Sequence, residues 1–215
     1  MLDYLVYDCE TKFMANEVKG SWGNISGMGL ASCVVYDSKI DEYLFFGPDS
    51  NKEVCKYFNN RIVIGFNNFN FDSKLLLGDD KTCLESSYHQ VSSPFGNWIE
   101  HDIYLDIYNY VLPSSKISYT YHAIIEMLKN KKYRGESGVY NLKYVCMNTL
   151  GVTKNDVAEN GPKYYKEGKF SKLFQYNLQD VRLTKMLYEF IIKYKYIVNG
   201  NYDIIKFETI KQQEF

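Results

Sequence analysis

Apolar and polar positions fall into short β-like runs over the first third of the chain and shift to helical spacing towards its end. Residues 5–7 form a β-rich run leading into the segment YDCET. Residues 30–36 and 43–46 are two more, separated by Asp, Ser and Lys at 37–41, which suit a hairpin turn. Three consecutive strands are therefore predicted to open the fold. Val54, Tyr57 and Phe58 recur at core spacing and predict a helix over 51–59, and 62–66 is a compact apolar strand ending in GFNNFNFD. Leu75 and Leu77 predict a helix just behind it. From 78 to 98 the pattern dissolves into Asp, Ser, Gly and Pro, which predicts a long surface loop ahead of a strand at 103–107. Helical spacing returns at 121–129 and 142–150, interrupted by the basic, glycine-containing KNKKYRGESG at 129–138. An irregular stretch over 151–169 then leads into a long amphipathic helix, 171–194.

This order predicts an α/β fold, a mixed sheet with helices packed on it. A length of 215 residues suits one domain, with a core over about 4–195 and a C-terminal tail over about 196–215. Apolar residues make up 46% of the chain, enough for a core, and 21 tyrosines bring aromatics to 17%. The formal net charge of −1 gives no global field to attract nucleic acid, so any such binding has to use local patches or bridging cations. Five cysteines, scattered and without a CxxC pair, fit neither a disulfide framework nor a zinc site and point to a reducing cytoplasm. No apolar run approaches the roughly 20 residues of a membrane helix, and MLDYLVYD is too short and acidic for a secretion signal, so a soluble protein is expected. The first motif starts almost at residue 1, and nothing substantial is expected ahead of it. A lysine- and tyrosine-rich, alanine-poor composition suits an AT-rich genome such as a virus, in which case the compartment would be the host cytoplasm.

The candidate chemistry lies in four carboxylates and a phenol. Asp8 and Glu10 are two apart at a strand end, so both project from the same side of the sheet. Asp72 directly follows the strand and turn of GFNNFNFD. Tyr176 and Asp180, in YNLQD, are four apart on the last helix and share a face. Taken singly, each has a plain structural reading: a solvated turn, a helix N-cap, a half-buried helix face. Their order, element types and flanking residues agree on something more specific. Phosphodiester cleavage needs charge neutralisation at the phosphate, an activated water and a stabilised leaving alkoxide, which two divalent cations supply together. Mg²⁺ and Mn²⁺ prefer carboxylate oxygens, and four acids sharing a cleft repel one another unless cations intervene.

These motifs resemble those of the DEDD superfamily of 3′-to-5′ exonucleases, with its DnaQ-like, ribonuclease H-like fold. YDCET looks like the first motif and GFNNFNFD like the Asn-xxx-Phe-Asp second motif of family-B DNA polymerase proofreading domains. YNLQDVRLT looks like the third motif in its tyrosine form, the DEDDy class; Gln175, five residues before Asp180, disfavours the histidine class. The resemblance covers about residues 5–190, with NLKYVCMNTLG like the helix ahead of the third motif and YLDIY like the strand after the second. No polymerase, helicase or accessory domain is expected. The resemblance implies that Asp8, Glu10 and Asp180 hold one cation, that Asp8 shares a second, and that Asp72 acts through ordered water. Tyr176 would orient the attacking water, since a phenol ordinarily titrates near 10. Glu10 and Thr11 would contact the terminal 3′-OH, and Asn67 and Phe71 would line the strand end. The expected activity is metal-dependent removal of nucleoside 5′-monophosphates from single-stranded or frayed 3′ ends, with DNA preferred. The alternatives are a 3′-to-5′ exoribonuclease on the same site, a catalytically silent module that binds nucleic acid or a partner protein, and a structure-specific endonuclease.

Several other residues have two readings. Lys129, Lys131, Lys132 and Arg134, interleaved with Tyr133 and near Tyr140, form either a solvated loop or a guide for a strand; Lys163, Lys166, Lys169 and Lys172 present the same choice. His89, His101 and His122 lack ligand spacing and are expected in core or surface roles, and Asp102 and Asp106 in structural ones, the alternative being that these two acids join the acidic cleft. Trp22, in the GSWGN turn, is either a surface residue or a stacking platform for a base.

Overall fold

Strand β1 (Tyr4–Thr11) is the spine of a six-stranded sheet. Its YLVYDCET sequence is almost entirely buried, as suits a strand flanked and covered on both faces. It runs antiparallel to β2 (Leu30–Asp37), which pairs antiparallel with β3 (Glu42–Phe46). On its other side β1 is parallel to β4 (Ile62–Gly65), β4 is parallel to β6 (Gly96–Asp102), and β5 (Tyr88–Ser93) closes the edge antiparallel to β6. The sheet order is β3-β2-β1-β4-β6-β5, so the fold is α/β with a mixed sheet flanked by helices. The computed structural model describes residues 3–79, 87–111, 139–152, 154 and 160–207.

By spatial proximity the chain, expected as one domain over 1–215, groups into two compact units. The first comprises Met1–Ile103 and Asn155–Arg182, and the second Tyr104–Lys154 and Leu183–Phe215. In the first, Leu5, Tyr7 and Cys9 alternate onto one face of β1. There they pack with Val54 and Phe58 of the segment around helix α1 (Asn51–Tyr57), Leu75 of α2 (Asp72–Leu77) and Trp98 of β6. Phe58 is the hinge of this core, edge-on to Tyr7 at 4.9 Å and to Trp98 at 5.6 Å. Period-two alternation sends Asp8 and Glu10 to the opposite face.

Residues 78–98, expected as a surface loop, contain β5 and the start of β6, joined by a tight turn at Pro94 and Phe95. Only Val91 of YHQVSS is fully buried, so an edge strand with a solvated face has the composition of a loop. The expected strand at 103–107 is instead the start of helix α3 (Ile103–Val111). Its β-prone IYLDIY suggested a strand, yet Ile103 and Ile107, 1% and 0% exposed, are buried at a spacing of four. The irregular stretch 151–169 contains helix α5 (Asn160–Lys166), with Pro162 tolerated in its first turn.

The second unit contains α4 (Leu142–Leu150), whose start is capped by Asn141 accepting from the Tyr144 N–H at 3.0 Å. The expected tail after 195 opens with a hairpin, β7 (Tyr196–Val198) against β8 (Ile204–Lys206). Thr149 and Asn148 of α4 hydrogen-bond its Val198 and Asn199 carbonyls. Helix α6 (Phe170–Tyr194) agrees with the expected 171–194, its residues to Arg182 belonging to the first unit. The expected helix at 121–129 and the basic stretch 129–138 lie outside the described residues. No helix among the described residues is long and apolar enough to cross a membrane.

At the far end of β2, Asp37 joins three elements. It accepts from Arg61 at 2.7 and 3.1 Å, from the Tyr57 hydroxyl at 2.5 Å and from the Lys39 N–H at 2.9 Å. Burial alone would raise its carboxyl; the Arg61 and Tyr57 hydrogen bonds, the Lys39 N–H and the Arg61 charge outweigh it and bring the group down to about 2 from 3.8. A lowered folded-state pKa stabilises the fold above the unfolded value, and that stability is lost as pH falls through the folded one. We expect about 2 kcal/mol from this group at neutral pH, fading between about pH 4 and pH 2. Asp37→Asn should lower stability at pH 7 in urea titrations, and the gap to wild type should close as acid is added; a constant gap would sink the assignment.

Candidate metal centre

The site begins with an irregularity in β1. Register with β2 holds through Glu10 and shifts between Glu10 and Thr11, so the strand is deformed where its acids project. From across the sheet the first half of α6 packs down, with Phe174 edge-on to Phe45 of β3 at 5.5 Å and Arg182 over the Tyr43 ring at 5.5 Å. That docking buries Leu173, Tyr176, Asn177, Asp180 and Val181 on one helical face. Carboxylate oxygens of Asp8, Glu10 and Asp180 then lie within 4.8 Å of one another, although the chain separates the first and last by more than 170 positions. Tyr176, one helical turn before Asp180, is only 4% exposed.

Asp72 reaches the site differently. Strand β4 accompanies β1 only along Tyr4–Val6 and then turns off, leaving the β1 edge open further on. Asp72, at the start of α2, covers that edge, accepting the Cys9 N–H at 2.8 Å. It stands outside the close group of three. Its carboxyl is nevertheless pushed well above the usual carboxylate range, first by burial and then by the negative charge of Asp8, with Glu100 adding and the Cys9 N–H opposing.

The turn that delivers Asp72 is built on two buried acids of β6. Asp102 accepts the N–H groups of Asn67 at 2.9 Å and Phe69 at 3.2 Å, fixing Asn67 in the left-handed conformation at φ 64°. Glu100 accepts from Asn68 at 2.7 Å and from the hydroxyls of Tyr7 and Ser73. Burial and the Glu100 charge push the Tyr7 phenol far up, so it stays a donor. Asp102 therefore has the structural role expected of it. Asn67 holds Asn70 through its side-chain oxygen at 2.9 Å, Phe71 is half-buried against the core, and Thr11 is buried at the bulge.

The sequence reading missed two residues here. Asn177 is fully buried and donates from Nδ2 to Asp8 Oδ2 at 2.6 Å, fixing that carboxylate from the helix that carries Asp180. Lying between Tyr176 and Asp180, it could have been found by asking what faces the site at i−3 from Asp180. Gly161 of α5 is the other: a Cβ there would lie 2.0 Å from Glu10 Oε2, so any larger residue would make that carboxylate shift. No periodicity announces such a contact.

Other candidates disperse. Lys166 pairs with Glu17, and Lys169 pairs with Glu167 at 2.6 Å. His101 is buried and stacks on Tyr88 at 4.0 Å, while His89 meets Phe69 edge-on. His122 and Cys83 lie outside the described residues; Cys9, Cys33, Cys55 and Cys146 are buried free thiols.

The donor set of the cluster is three carboxylates without sulfur or imidazole, which fits a hard, oxygen-seeking divalent cation such as Mg²⁺ or Mn²⁺. No family model matches the chain, and no curated protein matches it.

Two substitutions test the geometry. Asn177→Ala should weaken Mn²⁺ binding by about 10- to 100-fold, the usual effect of losing a partner that orients a ligand. Gly161→Ala should leave the melting temperature close to wild type, alanine being the better helix former, while displacing Glu10 and weakening Mn²⁺ comparably. Calorimetric titration of the two variants beside wild type decides it; unchanged affinity in both would show that cations do not bind at these acids.

Proposed function

We propose that this is a metal-dependent phosphodiesterase acting on nucleic acid, and more particularly a 3′-to-5′ exonuclease of the DEDDy type. The observation that carries the reading is the convergence of Asp8, Glu10 and Asp180 within 4.8 Å, with Asp72 against the same strand and Tyr176 on the same helix face. The mixed sheet is compatible with the ribonuclease H-like fold that the motifs imply.

In this mechanism Asp8, Glu10 and Asp180 would hold the cations, Asn177 fixes the Asp8 carboxylate, and Asp72 supplies a further acid beside Asp8. Two divalent ions, when bound, supply charge neutralisation at the phosphate and a more acidic water. Tyr176 orients that water by hydrogen bonding. Water oxygen bonds to the phosphorus of the last nucleotide as the P–O3′ bond to its neighbour breaks. The products are a nucleoside 5′-monophosphate and a strand with a new 3′-OH. The motif resemblance would have Asn67 and Phe71 line the strand end and Thr11, buried at the bulge, contact the 3′-OH. The preferred substrate is single-stranded or frayed DNA.

A time course with 5′-labelled single-stranded DNA and RNA of one sequence, in Mg²⁺ or Mn²⁺, tests the proposal. The expected result is a ladder shortening from the 3′ end that EDTA abolishes. Asp180→Asn should slow it by more than the roughly 100-fold typical of an orienting partner. Faster RNA decay would make the enzyme an exoribonuclease, cleavage of circular strands would make it an endonuclease, and uncut substrate with cation bound would make it a binding module.

A further inference from the structure

Trp22 lies beside Phe71, the residue before Asp72, and we propose that it is the stacking platform for the unpaired base at the strand's 3′ end, an inference that rests on the exonuclease reading. The indole is 69% exposed, whereas the other tryptophan, Trp98, is 2% exposed. An exposed tryptophan on a loose loop would carry little meaning, but this loop is fastened. Asp79 accepts the Ile25 N–H at 2.8 Å together with the Ser26 N–H and hydroxyl. Asn24 bridges the Lys19 carbonyl at 2.8 Å and the Gly27 N–H at 3.0 Å, and Ile25 and Met28 sink into the core.

Its position follows from the chain path. The segment 14–28 is the connection at the end of β1 that carries the acids, closed there by the Lys12 and Phe13 N–H groups donating to Gly29 and Met28. The Trp22 ring lies 6.4 Å from that of Phe71, tilted by 52°, and Phe71 immediately precedes Asp72. Phe71 is itself packed against the core and backs the indole on one side, leaving most of it in water. The side chain is thus apolar and held in place beside the ring that precedes Asp72 in the chain. Every nucleobase has a face that stacks on such a ring, whereas a base paired within a duplex keeps its faces covered. Trp22 would therefore select unpaired ends without reading sequence, in keeping with a chain whose net charge of −1 gives no global field to gather nucleic acid.

The two tryptophans make the test direct, because Trp98, beside Phe58, serves as an internal constant. Asp180→Asn protein, which should bind without turnover, is titrated with a 5′-labelled single-stranded oligonucleotide while label anisotropy and tryptophan emission are followed together. The solvent-exposed component of emission should quench as anisotropy rises, and neither should respond to a blunt duplex at the same concentration. Adding Trp22→Phe should remove the quench and keep most of the affinity, while adding Trp22→Ala should weaken binding roughly ten-fold or more, the range of one base–aromatic stack. Both variants should melt with the parent, since the side chain is largely solvated. Rising anisotropy with unchanged emission, or Trp22→Ala binding as well as the parent, overturns the platform and leaves the exonuclease intact. Absent cleavage by wild type together with flat anisotropy overturns the exonuclease reading, and the platform falls with it.

Discussion

Carboxylates held within 4.8 Å repel one another, and the first unit is arranged around that repulsion. Nothing in the folding of β1 requires acids at positions 8 and 10; apolar residues there, under α6, would bury more surface at less electrostatic cost. The acids are kept in place by groups that hold them from behind. Asn177 grips Asp8, the Gly161 backbone closes on Glu10, and the Cys9 N–H holds Asp72. Burial and the Asp8 charge both push the Asp72 carboxyl upward, as crowding acids out of water does.

The other buried acids of this unit sharpen the point. Asp37 sits among a guanidinium, a phenol and a backbone N–H, Glu100 among two hydroxyls and an amide, and Asp102 on two N–H groups of a turn. Each uses its charge to tie neighbouring elements together, as buried charges ordinarily must. Asp8, Glu10 and Asp180 also bring carboxylate oxygens within 4.8 Å of one another, close enough to share one divalent cation. Glu100 and Asp102 serve the site at one remove, since the turn they shape brings Asp72 to the open edge of β1.

The parts legible in the sequence were those in which chemistry and period agree. Strands β2, β3 and β4 and helix α6 were read close to their observed bounds because apolar side chains recur there at the spacing of the element, whereas β1, Tyr4–Thr11, was read only over 5–7. Strand and helix periodicity paired Asp8 with Glu10 and Tyr176 with Asp180, while the convergence of the two pairs was expected from the resemblance of the motifs rather than from spacing. What failed was propensity set against context. Strand β5 buries one fully enclosed side chain and carries the serines of a loop, and α3 carries β-prone residues on a helical spacing. Asn177 and Gly161 were not legible as functional residues because their importance lies in a partner far away in sequence. An asparagine gains meaning from the carboxylate opposite, and a glycine from the atom its Cβ would strike.

Acids dispersed over positions 8, 10, 72 and 180 are separate and solvated in the unfolded chain and crowded in the folded one. Any cation that prefers the crowded arrangement therefore favours the fold, and folding in turn raises affinity for the cation, because the two equilibria share one coupling free energy. The supports behind the acids place that coupling on β1, on α5 and on the first half of α6. These are the elements that hydrophobic packing alone already orders: Leu5, Tyr7 and Cys9 hold one face of β1 while its acids use the other. A rigid core on one side of a strand and a charged cluster on the other let the protein tolerate electrostatic cost where chemistry needs it, without surrendering the order of the strand that carries it.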